Sequence, residues 1–154
     1  MAESFKTRWL RRRFNLFPAY RRTGGCITYI AADLREVRVK LPLTWRTRNY
    51  VGTLYGGSMY GCVDPIYMVM LIKLLGRDYV VWDRSATIHF KRPGRTTLHA
   101  TLRIDAAETD AIRAALRDAR SIDRIYRVAL TDAEGTVCAE VEKTLYIARK
   151  DASG

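Results

Sequence analysis

Residues 49 to 65 read NYVGTLYGGSMYGCVDP and end by setting Asp64 against IYMVMLIKLLG, one of the most apolar stretches of the chain. Asp64 is the only carboxylate between Glu36 and Asp78. Apolar neighbours disfavour a charged carboxylate unless donors hold it, and a desolvated acid of this kind is a candidate general base or nucleophile. Eight residues earlier, Gly56 and Gly57 precede or open the helix that the apolar run implies. Backbone N–H groups at a helix start lack internal partners and sit at the positive end of the dipole, and a missing side chain lets a reacting group come close. That is an oxyanion hole in outline. Both features also have a structural reading. Pro65 cannot donate to the carbonyl of Gly61, so Asp64 can serve to manage a kink, and the two glycines can serve close packing.

Other chemistry-bearing residues carry weaker patterns. Cys26, Cys62 and Cys138 are odd in number and widely separated, which fits reduced thiols and gives no zinc spacing, so no metal is expected. Cys62 lies two residues before Asp64, but no cationic neighbour is evident to form its thiolate, and a core thiol is the better reading. His89 and His99 have neither a nucleophile nor a metal-ligand pattern around them and read as solvated or interface histidines.

These residues need elements to hold them. Met59, Val63, Ile66, Val69, Met70, Leu71 and Leu75 leave almost no polar face between Gly56 and Leu75, which marks one long helix surrounded by protein, and Gly76 stops it. Val37, Val39 and Leu41 alternate with Arg38 and Lys40 in a half-buried strand, with another predicted in CITYIAADL just before it. From Tyr79 to Lys91, Val80, Trp82, Ala86, Ile88 and Phe90 share one parity, expected dry. Asp83, Ser85, Thr87, His89 and Lys91 share the other, expected wet. PGR at 93 to 95 turns the chain into a strand over Leu98 to Ile104, and the pair is expected to form a hairpin. Thr109 is a candidate cap for a short helix, and DAEG at 132 to 135 joins two last strands, Ile125 to Thr131 and Val137 to Ile147.

Composition bounds the rest. A chain of 154 residues with 48% hydrophobic composition suits one domain with a core. The longest wholly apolar run, Pro65 to Ile72, falls far short of the roughly 20 residues that cross a bilayer, so no spanning segment is expected. The net charge of +11 is concentrated at one end, where Lys6, Arg8, Arg11, Arg12, Arg13, Arg21 and Arg22 face only Glu3. FKTRWLRRRFNLF interleaves aromatics with these cations. It reads either as a helix docked on the domain or as a basic amphipathic segment for membrane or nucleic acid, and the breadth of its apolar arc favours docking. Residues 1 to 22 are therefore set apart as a docked basic segment, 23 to 150 as a single domain and 151 to 154 as a tail. The N-terminus lacks the apolar core and cleavage site of a secretory signal, so a cytoplasmic location is expected.

One buried helix placed early among antiparallel strands describes an α+β sheet curled around a helix, one candidate among several folds of that class. The residues of the opening stretch add a resemblance. Asn49, YGG at 55 to 57 and Asp64 resemble the active-site segment of the hotdog-fold acyl-CoA thioesterases of phenylacetyl-CoA type, which have HGG and an Asp at that distance. From FPAYRRTGG through VVWDRSATIHFKRPGR to EVEKTLYIARK the chain is similar to an uncharacterised bacterial branch of that superfamily. The resemblance implies a hotdog fold with an extra N-terminal helix and an acyl-CoA thioester as substrate, with no cofactor beyond the CoA moiety of that substrate.

It also implies roles. Asp64 would activate water or attack directly, Asn49 would orient the water or the carbonyl, and Ser85 or Thr87 would help to hold that water. Tyr55 stands where the family has His, and a phenol cannot shuttle protons near neutral pH. Lys91, Arg92 and Arg95 lie beside a turn, suited either to CoA phosphates or to solvent. An acyl pocket is expected between helix and sheet, near Met59, Met68, Met70 and Tyr67. On one helix, Gly56 and Asp64 would be about 12 Å apart, too far to act on one carbonyl. A homodimer with antiparallel helices, or a tetramer of two such dimers, would bring the glycines of one subunit to the acid of the other, as the resemblance implies. The alternative is a catalytically silent hotdog protein that binds acyl-CoA or another acyl ligand; nucleic acid is not expected as a partner.

Overall fold

The computed structural model describes residues 2–150; the tail at 151–154 lies outside the described residues. Helices α1 (Phe5–Leu16) and α2 (Pro18–Arg22) lead into strands β1 (Cys26–Ile30) and β2 (Glu36–Leu41). Helices α3 (Gly56–Gly61) and α4 (Ile66–Leu75) follow, then β3 (Tyr79–Phe90), β4 (Leu98–Arg103), α5 (Ala106–Asp118), β5 (Ser121–Thr131) and β6 (Val137–Arg149). The six strands form one antiparallel sheet in the order β1-β2-β4-β5-β6-β3. It curls around α3 and α4. Leu41, Leu98, Leu102, Leu130, Leu145 and Ile147 from the strands bury completely against Val63 and Leu71 of the helical layer.

The central helix is broken. Pro65 has no N–H for the carbonyl of Gly61, and the chain turns from Cys62 to Pro65 before α4 begins. Tyr60 O takes the amides of both Val63 and Asp64, while the hydroxyl of Tyr20 donates to Cys62 O at 3.0 Å. The full stretch Gly56–Leu75 has the length, 20 residues, and the mean hydropathy, 1.3, of a membrane span. Ile66, Tyr67, Met70, Leu71 and Leu75 turn it into the core instead.

The basic segment is two helices rather than one, parted at Phe17–Pro18, with a capping box between Ser4 and Thr7 starting the first. It docks along the outer edge of β1. Asn15 accepts from Ile27 N and donates to Ile27 O, and Glu3 accepts from Ile30 N, so backbone groups of that edge strand are satisfied without another strand.

Three local expectations are corrected. β3 and β4 do not form a hairpin: β3 pairs with β6 while β4 pairs with β2 and β5, so the turn at 93 to 95 carries the chain between distant strands. A bulge at Arg84 shifts the alternation of β3, so Val81 and Asp83 face inward before it, and Ala86, Ile88 and Phe90 after it. Val80 and Trp82 therefore lie on the outer face. Helix α5 is capped by Asp105, whose carboxylate accepts from Glu108 N, while Thr109 is buried within the helix.

Candidate active site

Asp64 sits at the break between α3 and α4, and the sequence reading of apolar surroundings is only half of its environment. Lys143 of β6 is almost completely buried, 1% exposed, with its ammonium 2.6 Å from Asp64 Oδ1 and 2.7 Å from Asp83 Oδ1. It also donates to the backbone carbonyl of Asp64. An ammonium carries three protons, and all three have acceptors. A buried cation is tolerated only when paired and fully hydrogen-bonded, which is the arrangement here. Lys143 thereby does two jobs: it neutralises one of two facing carboxylates, and it satisfies a carbonyl freed where the helix breaks.

Tyr60, one turn before Asp64, completes the group by donating its hydroxyl to Asp64 Oδ1 at 2.5 Å. Burial, the hydrogen bond to Asp64 and the charges of Asp64 and Asp83 push the Tyr60 phenol well above its ordinary range, so it remains a donor. Both side-chain bonds to Asp64 fall on Oδ1, and among the described residues no protein donor reaches Oδ2. The carboxylate is 37% exposed.

Asp64 forms part of the wall of a cleft of about 560 Å³ between the N-terminal helices and α4. Phe14, Phe17, Tyr20, Met68 and Val69 make its surface mostly apolar, with Arg13 and Lys73 as its cations. The expected pocket between helix and sheet is largely filled: Met59 and Tyr67 are buried core residues, and Met70 borders only a small apolar cavity of about 30 Å³ between α4 and strands β1 and β2. Of the four residues named for it, only Met68 lines the cleft.

The remaining candidates are dispersed. Gly56 and Gly57 open α3, but among the described residues nothing in the chain joins them to Asp64. A Cβ on Gly56 would stand 2.8 Å from Phe90 Cζ, and one on Gly57 would stand 2.3 Å from Tyr55 Cε1. Tyr55 is exposed, with its ring laid over Gly57. Asn49 is engaged in its own loop: Oδ1 accepts from Val51 N and Thr53 N, and Nδ2 donates to Thr53 Oγ1 and Leu54 O. Ser85 and Thr87 pair opposite Thr144 and Glu142, on the sheet face away from the helix, because the bulge precedes them. Within one chain they do not approach Asp64.

Lys91, Arg92 and Arg95 are split as well. Lys91 pairs with Glu140 at 3.2 Å, while Arg92 and Arg95 line another surface cleft together with Asp132 and Glu134. His89 and His99 are exposed on the outer face. Cys62 is a core thiol whose burial pushes it up to about 12, which removes it as a nucleophile near neutral pH. Sequence reasoning missed Lys143, Asp83 and Tyr60. One signal was present: in EVEKTLYI, Lys143 shares the parity of Val141, Leu145 and Ile147, and a lysine on the dry side of a strand needs an anion.

A six-stranded antiparallel sheet wrapped around a broken central helix, with Asp64 at the break, defines a hotdog-fold domain. The chain belongs to the family described as Domain of unknown function (DUF4442), whose model matches residues 7–147. No curated protein matches it. Among solved structures, it is similar to a Pseudomonas aeruginosa protein of unknown function described as a probable thioesterase, with TM-score 0.83 and 18% identity over 97% of this chain and 100% of that one. A thioesterase of Haemophilus influenzae aligns with TM-score 0.71 and 16% identity over 99% and 97% of the two chains. Thioesterase superfamily member 2 of Mus musculus aligns with TM-score 0.65 and 18% identity over 93% and 98%. At these identities the likeness establishes the fold.

Proposed function

We propose that the protein hydrolyses an acyl-CoA thioester with Asp64 as the base. The observation that carries this reading is the free Oδ2 of Asp64 beside a mostly apolar cleft, its other oxygen held by Lys143 and Tyr60. Water attacks the thioester carbonyl as Asp64 takes its proton. The C–O bond forms, the C–S bond breaks, and the thiolate leaves with that proton as thiol, giving a carboxylic acid. Gly56 and Gly57 of a second subunit supply amides for the oxyanion, and the apolar cleft takes the acyl chain. Arg92 and Arg95 are assigned to the CoA phosphates in preference to Lys91, which is already paired with Glu140.

The dimer is supported by β3. It is an edge strand of 12 residues that pairs on one side only, and it exposes Trp82 on its outer face and, toward its other end, Phe90, whose ring lies against Gly56 at the start of α3. An unpaired edge flanked by exposed aromatics favours addition of a second chain. The resulting continuous sheet would place two central helices side by side.

The pairing of Asp64 with Lys143, together with Tyr55 at the family's histidine position, favours a second reading, a silent binder of acyl-CoA. A panel of acyl-CoAs separates the two. Wild type should release thiol from at least one, and Asp64→Asn should lower the rate about 10²–10³-fold, since Asn keeps an oxygen for Lys143 and Tyr60 but is no base. Tight acyl-CoA binding without thiol release from any substrate would establish the silent binder instead.

A further inference from the structure

We propose that the outer face of α1 docks on the surface of an anionic lipid bilayer. Docking against β1 accounts for only one side of this helix. Leu10, Phe14 and Asn15 face the domain, whereas Phe5, Trp9 and Leu16 point outward, 83%, 53% and 66% exposed. At about 100° per residue these three lie within roughly 40° of one another on one face of the helix, with Arg12 on the same line between Trp9 and Leu16. Phe17, the C-cap, is also exposed and lies to one side of this face.

Exposed Lys6, Arg8, Arg12 and Arg13 lie along this face, and Arg13 stacks over the Trp9 ring at 4.5 Å. No acidic residue occurs between Glu3 and Asp33. A merely solvated face has no use for large apolar side chains. Apolar residues ringed by cations on an exposed helical face are what an interfacial helix presents, lying in the headgroup region with its apolar side sunk toward the acyl chains.

Charge decides among occupants. A second copy of this chain would bring two cationic faces together, which like-charge repulsion opposes. RNA would satisfy the cations but not an exposed aliphatic Leu16 on the same face. The bilayer satisfies both. Arg13 and Phe17 also line the cleft beside Asp64, so the docked helix would hold the mouth of that cleft at the lipid surface. The inference stands on the exposed face of α1 and does not require turnover at Asp64.

The test is co-sedimentation of the full chain with vesicles of phosphatidylcholine alone and of phosphatidylcholine mixed equally with phosphatidylglycerol, at low and high salt, with an RNA oligomer as competitor. Binding is expected to the mixed vesicles only, and to weaken at high salt. Phe5→Ser with Trp9→Ser should reduce it about tenfold or more, and Arg8→Glu with Arg12→Glu should abolish it. None of these four residues lines the cleft, so circular dichroism and thiol release in solution should be unchanged. Absence of binding to mixed vesicles, equal binding to both kinds, displacement by RNA, or a change in oligomeric state on substituting this face would each overturn the proposal.

Discussion

Lys143 Nζ lies 2.6 Å from Asp64 Oδ1, and this pair ties strand β6 to the break in the central helix. The lysine is buried and the aspartate is not, so the cation depends on the pair more than the anion does. That asymmetry predicts what each substitution does.

Lys143→Met fills the same space but leaves Asp64 facing Asp83 without a cation and leaves the carbonyl of Asp64 without a donor. Removing one partner of a fully buried pair costs about 3–5 kcal/mol; with both carboxylates about one third exposed, a loss on the order of 2–3 kcal/mol is expected. In a chain of this size that lowers Tm by roughly 5–10 °C. A melting curve checks it, and adding Asp83→Asn should recover part of the loss.

Gly57→Ala distinguishes an oxyanion role from close packing. The new Cβ would meet the Tyr55 ring, but Tyr55 is exposed and free to swing away, so stability should change by less than about 1 kcal/mol. Thiol release should fall about tenfold or more, because the methyl group intrudes where the carbonyl oxygen must approach. If packing were the only role, Tyr55→Ala would restore full activity to Gly57→Ala.

Trp82→Glu removes an exposed aromatic from the edge strand β3 and places a charge there, opposite Tyr146 and away from Lys143. Sedimentation should show wild type as a dimer and the variant as a monomer with a near-normal melting temperature. The monomer should not release thiol. A variant that stays active as a monomer would place the whole site within one chain.

The fold should weaken at alkaline pH. Burial raises Cys62 from the usual 9.0 to about 12, and it raises Tyr20 and Tyr60 above the ordinary tyrosine value. The folded state holds these protons more tightly than the unfolded state. Their contribution is therefore intact below about pH 9 and is lost as pH climbs through the unfolded values toward the folded ones. Tm measured at about pH 7.5 and about pH 10.5 should fall, and Cys62→Ala should fall less steeply over the same interval. Native Cys62 should also resist a thiol reagent near pH 8, consistent with its complete burial.

What the sequence determined by itself was local and periodic. The alternation of Val37, Val39 and Leu41, the apolar run from Pro65 to Ile72, and Pro65 after Asp64 each record a constraint that a neighbourhood of a few residues imposes, and each appears in the structure as strand, helix and break. The position of Asp64 beside the core was legible for the same reason. Tertiary structure alone decided its cationic partner. Lys143 is 79 positions away in the chain, and no local pattern names the anion a buried lysine will meet. The bulge at Arg84 is one extra residue in a strand, enough to turn Asp83 inward and Ser85 and Thr87 outward while leaving the composition of β3 unchanged. The failed hairpin between β3 and β4 has the same origin. Strand pairing is fixed by which surfaces the whole sheet can bury around the helix, and a short turn between two strands does not oblige them to be neighbours.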